Sequence, residues 1–179
     1  KIEIPENLKK IRFSFPKAPH SGKIVLQASG IKKSYGTKTI LQDLDLVIEK
    51  NERLVLAGRN GAGKSTLLRI LANRDTDFSG TVKEGAGISA GYFSQDESET
   101  ITGSQTIIEL LEQTAPLDLI PKLYDMLAAF LFRGDDIHKP LSVLSGGEKS
   151  RLALLRLLLR PLNLLILDEP TNHLDLHSK

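Results

Sequence analysis

Cysteine is absent from the 179 residues of the sequence. Disulfide bonds and thiolate metal sites are therefore excluded, and nothing in the residue usage argues for secretion. Aromatic residues make up only 5% of the chain, and no aromatic-rich platform for RNA is predicted. Because 40% of the residues are apolar, the chain can still form a core, and we expect a soluble, cytoplasmic domain.

A membrane-spanning segment is not predicted either. The longest apolar stretch, LALLRLLLRPLNLLILD at residues 152–168, is interrupted by Arg156, Arg160, Pro161 and Asn163, which a helix crossing a bilayer would not carry. The stretch favours a buried helix, a turn and a core strand. The N-terminal KIEIPENLKK lacks the apolar core of a signal peptide and begins without methionine, as expected of a processed product or a fragment.

The net charge of +2 is unevenly distributed along the chain. Residues 1–33 hold eight Lys or Arg against two Glu, which leaves the remainder at −4. A basic leader can attract a polyanion such as RNA, but a solvated linker has the same composition. Charge alone favours neither interpretation.

The positions of the prolines and the alternation of apolar and polar residues divide the chain into regions. Residues 1–22 contain three prolines without helical periodicity, which is typical of a linker. Residues 23–36 and 39–52 alternate apolar and polar side chains, which predicts an antiparallel sheet. Further predicted elements are short strands at 80–85 and 88–95 and amphipathic helices at 104–113 and 118–132.

The sequence GRNGAGKS at residues 58–65 fits the pattern of a phosphate-binding loop. It follows an apolar strand predicted at 53–58 and precedes a helix predicted at 63–73, the setting that such a loop requires. Lys64 can reach the β- and γ-phosphates, and the Ser65 hydroxyl can bind Mg²⁺. The alternative is a glycine turn that caps a helix. The candidate nucleotide-binding residues are Gly58, Asn60, Gly61, Ala62, Gly63, Lys64, Ser65 and Thr66.

Two acidic residues follow the apolar run NLLIL at residues 163–167. A buried strand that ends in acid places Asp168 at the carboxyl edge of a parallel sheet, where it can orient Mg²⁺ or a water bound to it. Glu169 comes next, where it can position the water that attacks the γ-phosphate. Such a pattern alone is mostly a strand end, but together with the loop it favours a catalytic carboxylate pair.

A second candidate anion site begins the segment LSGGEKSRLALLRLLL at residues 144–159. Ser145 can cap the predicted helix, and Glu148 completes a capping box. The hydroxyl of Ser145 and the amides of Gly146 and Gly147 can then bind an anion at the helix start.

These motifs, in this order, resemble those of the ATP-binding cassette (ABC) ATPases from about Lys23 onward. The resemblance implies ATP and Mg²⁺ as ligands and a P-loop α/β fold with an N-terminal antiparallel β portion and a helical subdomain at about 97–144. It implies that Tyr35 stacks on adenine, that Gln95 of YFSQD contacts Mg²⁺ or the catalytic water, and that Asp175 of TNHLD lies in the D-loop. It also implies a partner, because Ser145 and its glycines would close over ATP held by a second cassette.

The resemblance also bears on the two histidines at the end of the chain. His173 lies inside the D-loop match and His177 just after it, so neither takes the place of the family's switch histidine. The chain therefore resembles a cassette truncated after the D-loop, with a core that lacks its last strands. Such a core would have an exposed apolar edge.

Within these ATPases the chain most resembles the second cassette of ABC-F proteins. The basis is TNHLD at 171–175, the approach to the signature helix at 132–154, and a leader at 9–26 that is similar to the linker between cassettes. This resemblance implies a ribosome-associated translation factor, with ribosome and rRNA as partners. The alternative is the ATPase subunit of a membrane transporter.

Overall fold

The computed structural model describes residues 16–170, so the interpretations of residues 1–15, His173, Asp175 and His177 concern residues outside it. The chain divides into two compact units. One unit comprises residues 17–94 and 161–169, and the other is built around residues 95–160. Within residues 16–170, no helix is long and apolar enough to cross a membrane.

The first unit contains an antiparallel sheet. Strand β1 (Ile24–Tyr35) pairs with β2 (Lys38–Glu49) on one side and with β3 (Ser79–Glu84) on the other. Every second residue of β1 is buried at Leu26 and Ala28 and again at Ile31 and Lys33, but the alternation shifts by one residue between these pairs, where the pairing with β2 is irregular. The predicted N-terminal antiparallel portion is confirmed.

A helix and a parallel strand pair complete this unit. Helix α1 (Lys64–Leu71) buries Leu67, Ile70 and Leu71 on one face. Strand β4 (Ala90–Phe93) lies parallel to β5 (Leu164–Leu167). One core joins both sheets and the helix, and its buried members are Leu26, Ala28, Ile31, Leu41, Leu67, Ile70, Leu71, Tyr92 and Ile166.

The predicted strand at residues 53–58 is wrong, whereas the run at residues 163–167 does form a strand, β5, but is not fully buried. Residues 53–58 form no strand, and Val55 is 83% exposed. In β5, Leu165 is 40% exposed. Among residues 16–170, no strand pairs with 53–58 and β5 pairs with β4 alone. An apolar run needs neighbouring strands to complete its hydrogen bonds and cover its side chains.

The second unit is helical. It contains α2 (Gln95–Glu99), α3 (Ile107–Thr114), α4 (Leu123–Ala129) and α5 (Gly146–Leu158), with 3₁₀ turns at Ile120–Lys122, Gly134–His138 and Leu141–Val143. Its core includes Ile107, Leu111, Leu123, Met126, Leu127, Leu152 and Leu155. Helix α5 thus packs with the segment predicted as a helical subdomain, and the boundaries at residues 22, 97 and 144 stay predictions.

Candidate nucleotide-binding site

The glycine-rich loop leads directly into α1. Gly63 is the N-cap of the helix and has a φ of 91°, which is strained for any residue with a β-carbon. A β-carbon added there would lie 2.7 Å from Cγ2 of Ile40. Glycine at this position therefore lets β2 pack directly against the start of the helix.

The first residue of this helix, Lys64, is a cation. The first turn of α1 carries no acidic residue, so the positive end of the helix dipole is not neutralised within that turn. The Lys64 ammonium donates hydrogen bonds to the carbonyls of Gly58 at 2.9 Å and Arg59 at 3.0 Å. This arrangement holds a cation beside the loop, where a phosphate oxygen can compete for it.

The loop and the acidic strand end meet through one hydrogen bond. The Ser65 hydroxyl donates to Oδ1 of Asp168 at 2.9 Å, although the two residues are 103 positions apart. Asp168 is buried, and its backbone N–H donates to the Phe93 carbonyl at 2.8 Å. Two groups expected to act on one magnesium ion therefore lie side by side.

Tyr92 contributes to this site, although sequence analysis did not single it out. Its hydroxyl donates to Oδ2 of Asp168 at 3.4 Å. Burial raises the pKa of Tyr92, and the Asp168 carboxylate adds to the increase. The phenol thus stays protonated and able to donate. The alternation of residues 88–95 could have indicated that Tyr92 faces the core, but not that it meets Asp168.

Glu169 follows the strand in an uncommon backbone conformation. Its φ is 49°, in the left-handed region that non-glycine residues seldom adopt. Such a conformation persists only where the surrounding structure compensates for the strain, and strained residues of this kind are enriched at active sites. The side chain is exposed, so a substrate can reach the carboxylate.

The residues present fit a magnesium ion that is bound together with a nucleotide. Ser65 and Asp168 offer hard oxygen donors in contact with each other, and Mg²⁺ commonly uses one or two such protein ligands, completing its shell with water and phosphate. Among residues 16–170, no cluster of three His, Cys, Asp or Glu side chains could hold a metal alone.

The second candidate anion site lies in the helical unit. Ser145 is the N-cap of α5, and its hydroxyl and backbone N–H contact Oε2 of Glu148, each at 2.8 Å. Glu148 also pairs with Lys139 at 3.3 Å, and Lys139 pairs with Asp136 at 2.7 Å. The predicted capping box is confirmed. Ser145 is exposed at the helix start, where another molecule can approach it.

The ionisation of Glu148 reflects these contacts. Burial alone would raise the pKa of Glu148, but the hydrogen bonds from Ser145 and Lys139 outweigh it and hold the pKa below its ordinary value. The carboxylate is therefore negative at neutral pH, and Lys139 offsets a charge that would repel an incoming phosphate.

The other predicted residues occupy several elements. Asn60, Gly61 and Ala62 lie in the exposed loop, and Thr66 lies in the first turn of α1. Tyr35 ends β1 with its ring largely exposed. Gln95 begins α2 in the helical unit, and Asp175 lies outside the described residues. The structure thus joins Ser65 with Asp168, while the roles of all these residues stay predictions.

The loop, the helix start and the carboxylate define a P-loop nucleotide-binding domain. Residues 41–172 match the family model described as ABC transporter. The chain therefore belongs to the ABC transporter family and is an ABC ATPase domain, as the sequence motifs predicted.

Curated relatives support the predicted likeness to ABC-F proteins. "Probable ATP-binding protein YheS" of Escherichia coli K12 is 42% identical over 94% of this chain and 26% of the relative. "ABC transporter F family member 2" of Arabidopsis thaliana is 35% identical over 99% of this chain and 26% of the relative. The chain thus spans about a quarter of the length of these relatives.

A solved structure shows the same fold. A bacterial Atm1-family ABC exporter with ATP bound matches 89% of this chain and 32% of the exporter chain, with a TM-score of 0.70 and 20% sequence identity. At this identity the match establishes the fold alone.

Proposed function

We propose that this chain binds Mg²⁺-ATP and, together with a second cassette, hydrolyses it to ADP and phosphate. The hydrogen bond from Ser65 to Asp168 is the observation that carries the proposal. It places the hydroxyl expected to hold Mg²⁺ against the carboxylate expected to orient that ion. When bound, the magnesium ion neutralises phosphate charge and orients the nucleotide.

The chain's own residues then have separate roles in ATP binding and hydrolysis. The loop amides of Gly58 to Gly63 and the Lys64 ammonium bind the β- and γ-phosphates. Tyr35 stacks on adenine. Glu169 positions the attacking water, and Gln95 contributes to the metal or water contacts. Ser145, Gly146 and Gly147 close over ATP held by the second cassette, and Asp175 of the D-loop match contributes to nucleotide binding.

We propose further that this chain is part of a cytoplasmic, ribosome-associated translation factor of the ABC-F type. In that factor, ATP-driven pairing of the cassettes changes how tightly the ribosome is bound. The names of relatives such as the Arabidopsis F-family member support this class, and the basic leader suits contact with rRNA. The alternative is an ATPase subunit of a membrane transporter.

The test uses Glu169→Gln in the full-length protein, because loss of the water-positioning carboxylate should leave ATP bound but unhydrolysed. We expect the variant to co-sediment with ribosomes in Mg²⁺-ATP and to release them in ADP. Lys64→Ala is the matched control, since it should bind neither nucleotide nor ribosomes. Purification with a membrane partner and without ribosomes would favour the transporter subunit.

A further inference from the structure

A buried lysine lies near the end of β1. Lys33 is 4% exposed, whereas the side chain of its neighbour Lys32 is 57% exposed. The Lys33 ammonium pairs with Asp75 at 2.9 Å and with the Asp77 carboxylate at 3.2 Å, and it also donates to the Asp77 carbonyl. Burying an ammonium group is costly unless such partners are present. These contacts explain how Lys33 is tolerated, but not what it does.

The same cluster holds the ring of Tyr35. The Lys33 ammonium lies 4.9 Å from the ring centroid, which is within the range of a cation–π contact. The Tyr35 hydroxyl donates to Oδ2 of Asp75 at 3.4 Å. Although two groups contact the residue, it remains 53% exposed. The ring is therefore held from one side and open to solvent elsewhere.

The cluster is joined to both ends of the P-loop helix. Lys33 pairs across the sheet with Leu41, whose Cδ2 would lie 3.3 Å from a β-carbon on Gly63 at the helix start. Asp75 follows the other end, where its backbone N–H donates to the Arg69 carbonyl at 3.2 Å. A ring fixed to this cluster is therefore fixed relative to the phosphate loop.

We propose that Lys33 is a positioning residue, which together with Asp75 holds the Tyr35 ring as a fixed platform for the nucleobase. The proposal rests on the proposed function, in which Tyr35 stacks on adenine. Stacking contributes to affinity when the aromatic ring is already in place. An exposed ring without these supports would lose rotational freedom on binding, which weakens the complex.

The inference predicts a loss of affinity that depends on the base. We expect Lys33→Met to weaken ATP binding about fivefold, which corresponds to about 1 kcal/mol at 25 °C. Binding of inorganic tripolyphosphate, which has no base to stack, should not change. Lys33→Arg should restore most of the ATP affinity, because it keeps a cation under the ring. Lys32→Met, on the exposed neighbour, is the matched control and should leave both affinities unchanged.

The measurement is calorimetric titration of the full 179-residue chain with each ligand, and Tyr35→Ala shows whether Lys33 acts through the ring. In the Tyr35→Ala background, adding Lys33→Met should cause no further loss of ATP affinity. Two results would overturn the proposal and leave Lys33 a purely structural residue. One is that Lys33→Met weakens the binding of ATP and of tripolyphosphate equally. The other is that Lys33→Met still lowers ATP affinity fivefold in the Tyr35→Ala background.

Two further measurements test the proposal if Lys33→Met does not fold or if the base contributes nothing to affinity. If Lys33→Met fails to fold, Tyr35→Phe replaces it, because this change removes the bond to Asp75 without disturbing the buried lysine. We then expect about a twofold loss for ATP and none for tripolyphosphate, and unchanged ATP affinity would overturn the proposal. If the unsubstituted chain binds ATP no more tightly than tripolyphosphate, the assignment of Tyr35 to adenine is itself wrong, and the proposal about Lys33 ends with it.

Discussion

Replacing Ser65 with alanine tests the hydrogen bond that connects the glycine-rich loop to the end of β5. The substitution removes the hydroxyl that donates to Asp168 at 2.9 Å. Asp168 is 8% exposed, so water replaces the lost donor poorly. A hydrogen bond to a charged group contributes about 1.5–3 kcal/mol. Tyr92 also donates to this carboxylate, but at a weaker 3.4 Å, and we therefore expect a loss of about 2 kcal/mol in the free energy of unfolding.

The measurement is thermal unfolding without nucleotide. For a domain of this size, about 2 kcal/mol corresponds to a decrease in Tm of about 4–8 °C. Ser34→Ala is the matched control, because its hydroxyl is exposed and lies 3.5 Å from that of Thr39. We expect that control to change the free energy of unfolding by less than about 0.5 kcal/mol. A decrease in Tm below about 1 °C for Ser65→Ala would refute the reasoning.

Ser145→Ala should lower the free energy of unfolding by about 1 kcal/mol through loss of the helix cap, measured in urea, and no change would contradict the capping box. Because the pKa of Glu148 is lowered from 4.5, its stabilising contribution should be complete above that pH and disappear as the pH falls through the folded value. Acid titration of Glu148→Gln should lack this component. Gly63→Ala should cost about 1–3 kcal/mol because of its φ of 91°, and a neutral effect would contradict the packing against Ile40.

Much of the fold could be predicted because it depends on local patterns. Alternation predicted the antiparallel pairing of β1 with β2, and the Ser145 and Glu148 spacing predicted the start of α5, since both signals act within a few residues. The run at 53–58 was misleading because strand formation depends on partners elsewhere in the chain. Val55 is apolar, yet no described strand pairs with it.

Some residues of the candidate site could likewise be predicted from short motifs, and others could not. The phosphate-loop pattern predicts Lys64 and Ser65 as site residues, and the acid after an apolar run predicts Asp168, because each motif is short and has a chemical reason. The support from Tyr92 and the cluster around Lys33 could not be predicted. Lys33 and Asp75 lie 42 positions apart, and a lysine on a strand ordinarily indicates an exposed position.

The central claim is that the glycine-rich loop and Lys64 bind a nucleoside triphosphate with Mg²⁺. The most direct measurement is calorimetric titration of the full chain with ATP and Mg²⁺, compared with Lys64→Ala and with the exposed-lysine control Lys83→Ala. We predict saturable binding to the unsubstituted chain and to Lys83→Ala, and binding about 10- to 100-fold weaker to Lys64→Ala. Equal affinity in all three proteins, or no binding to the unsubstituted chain, would contradict the account.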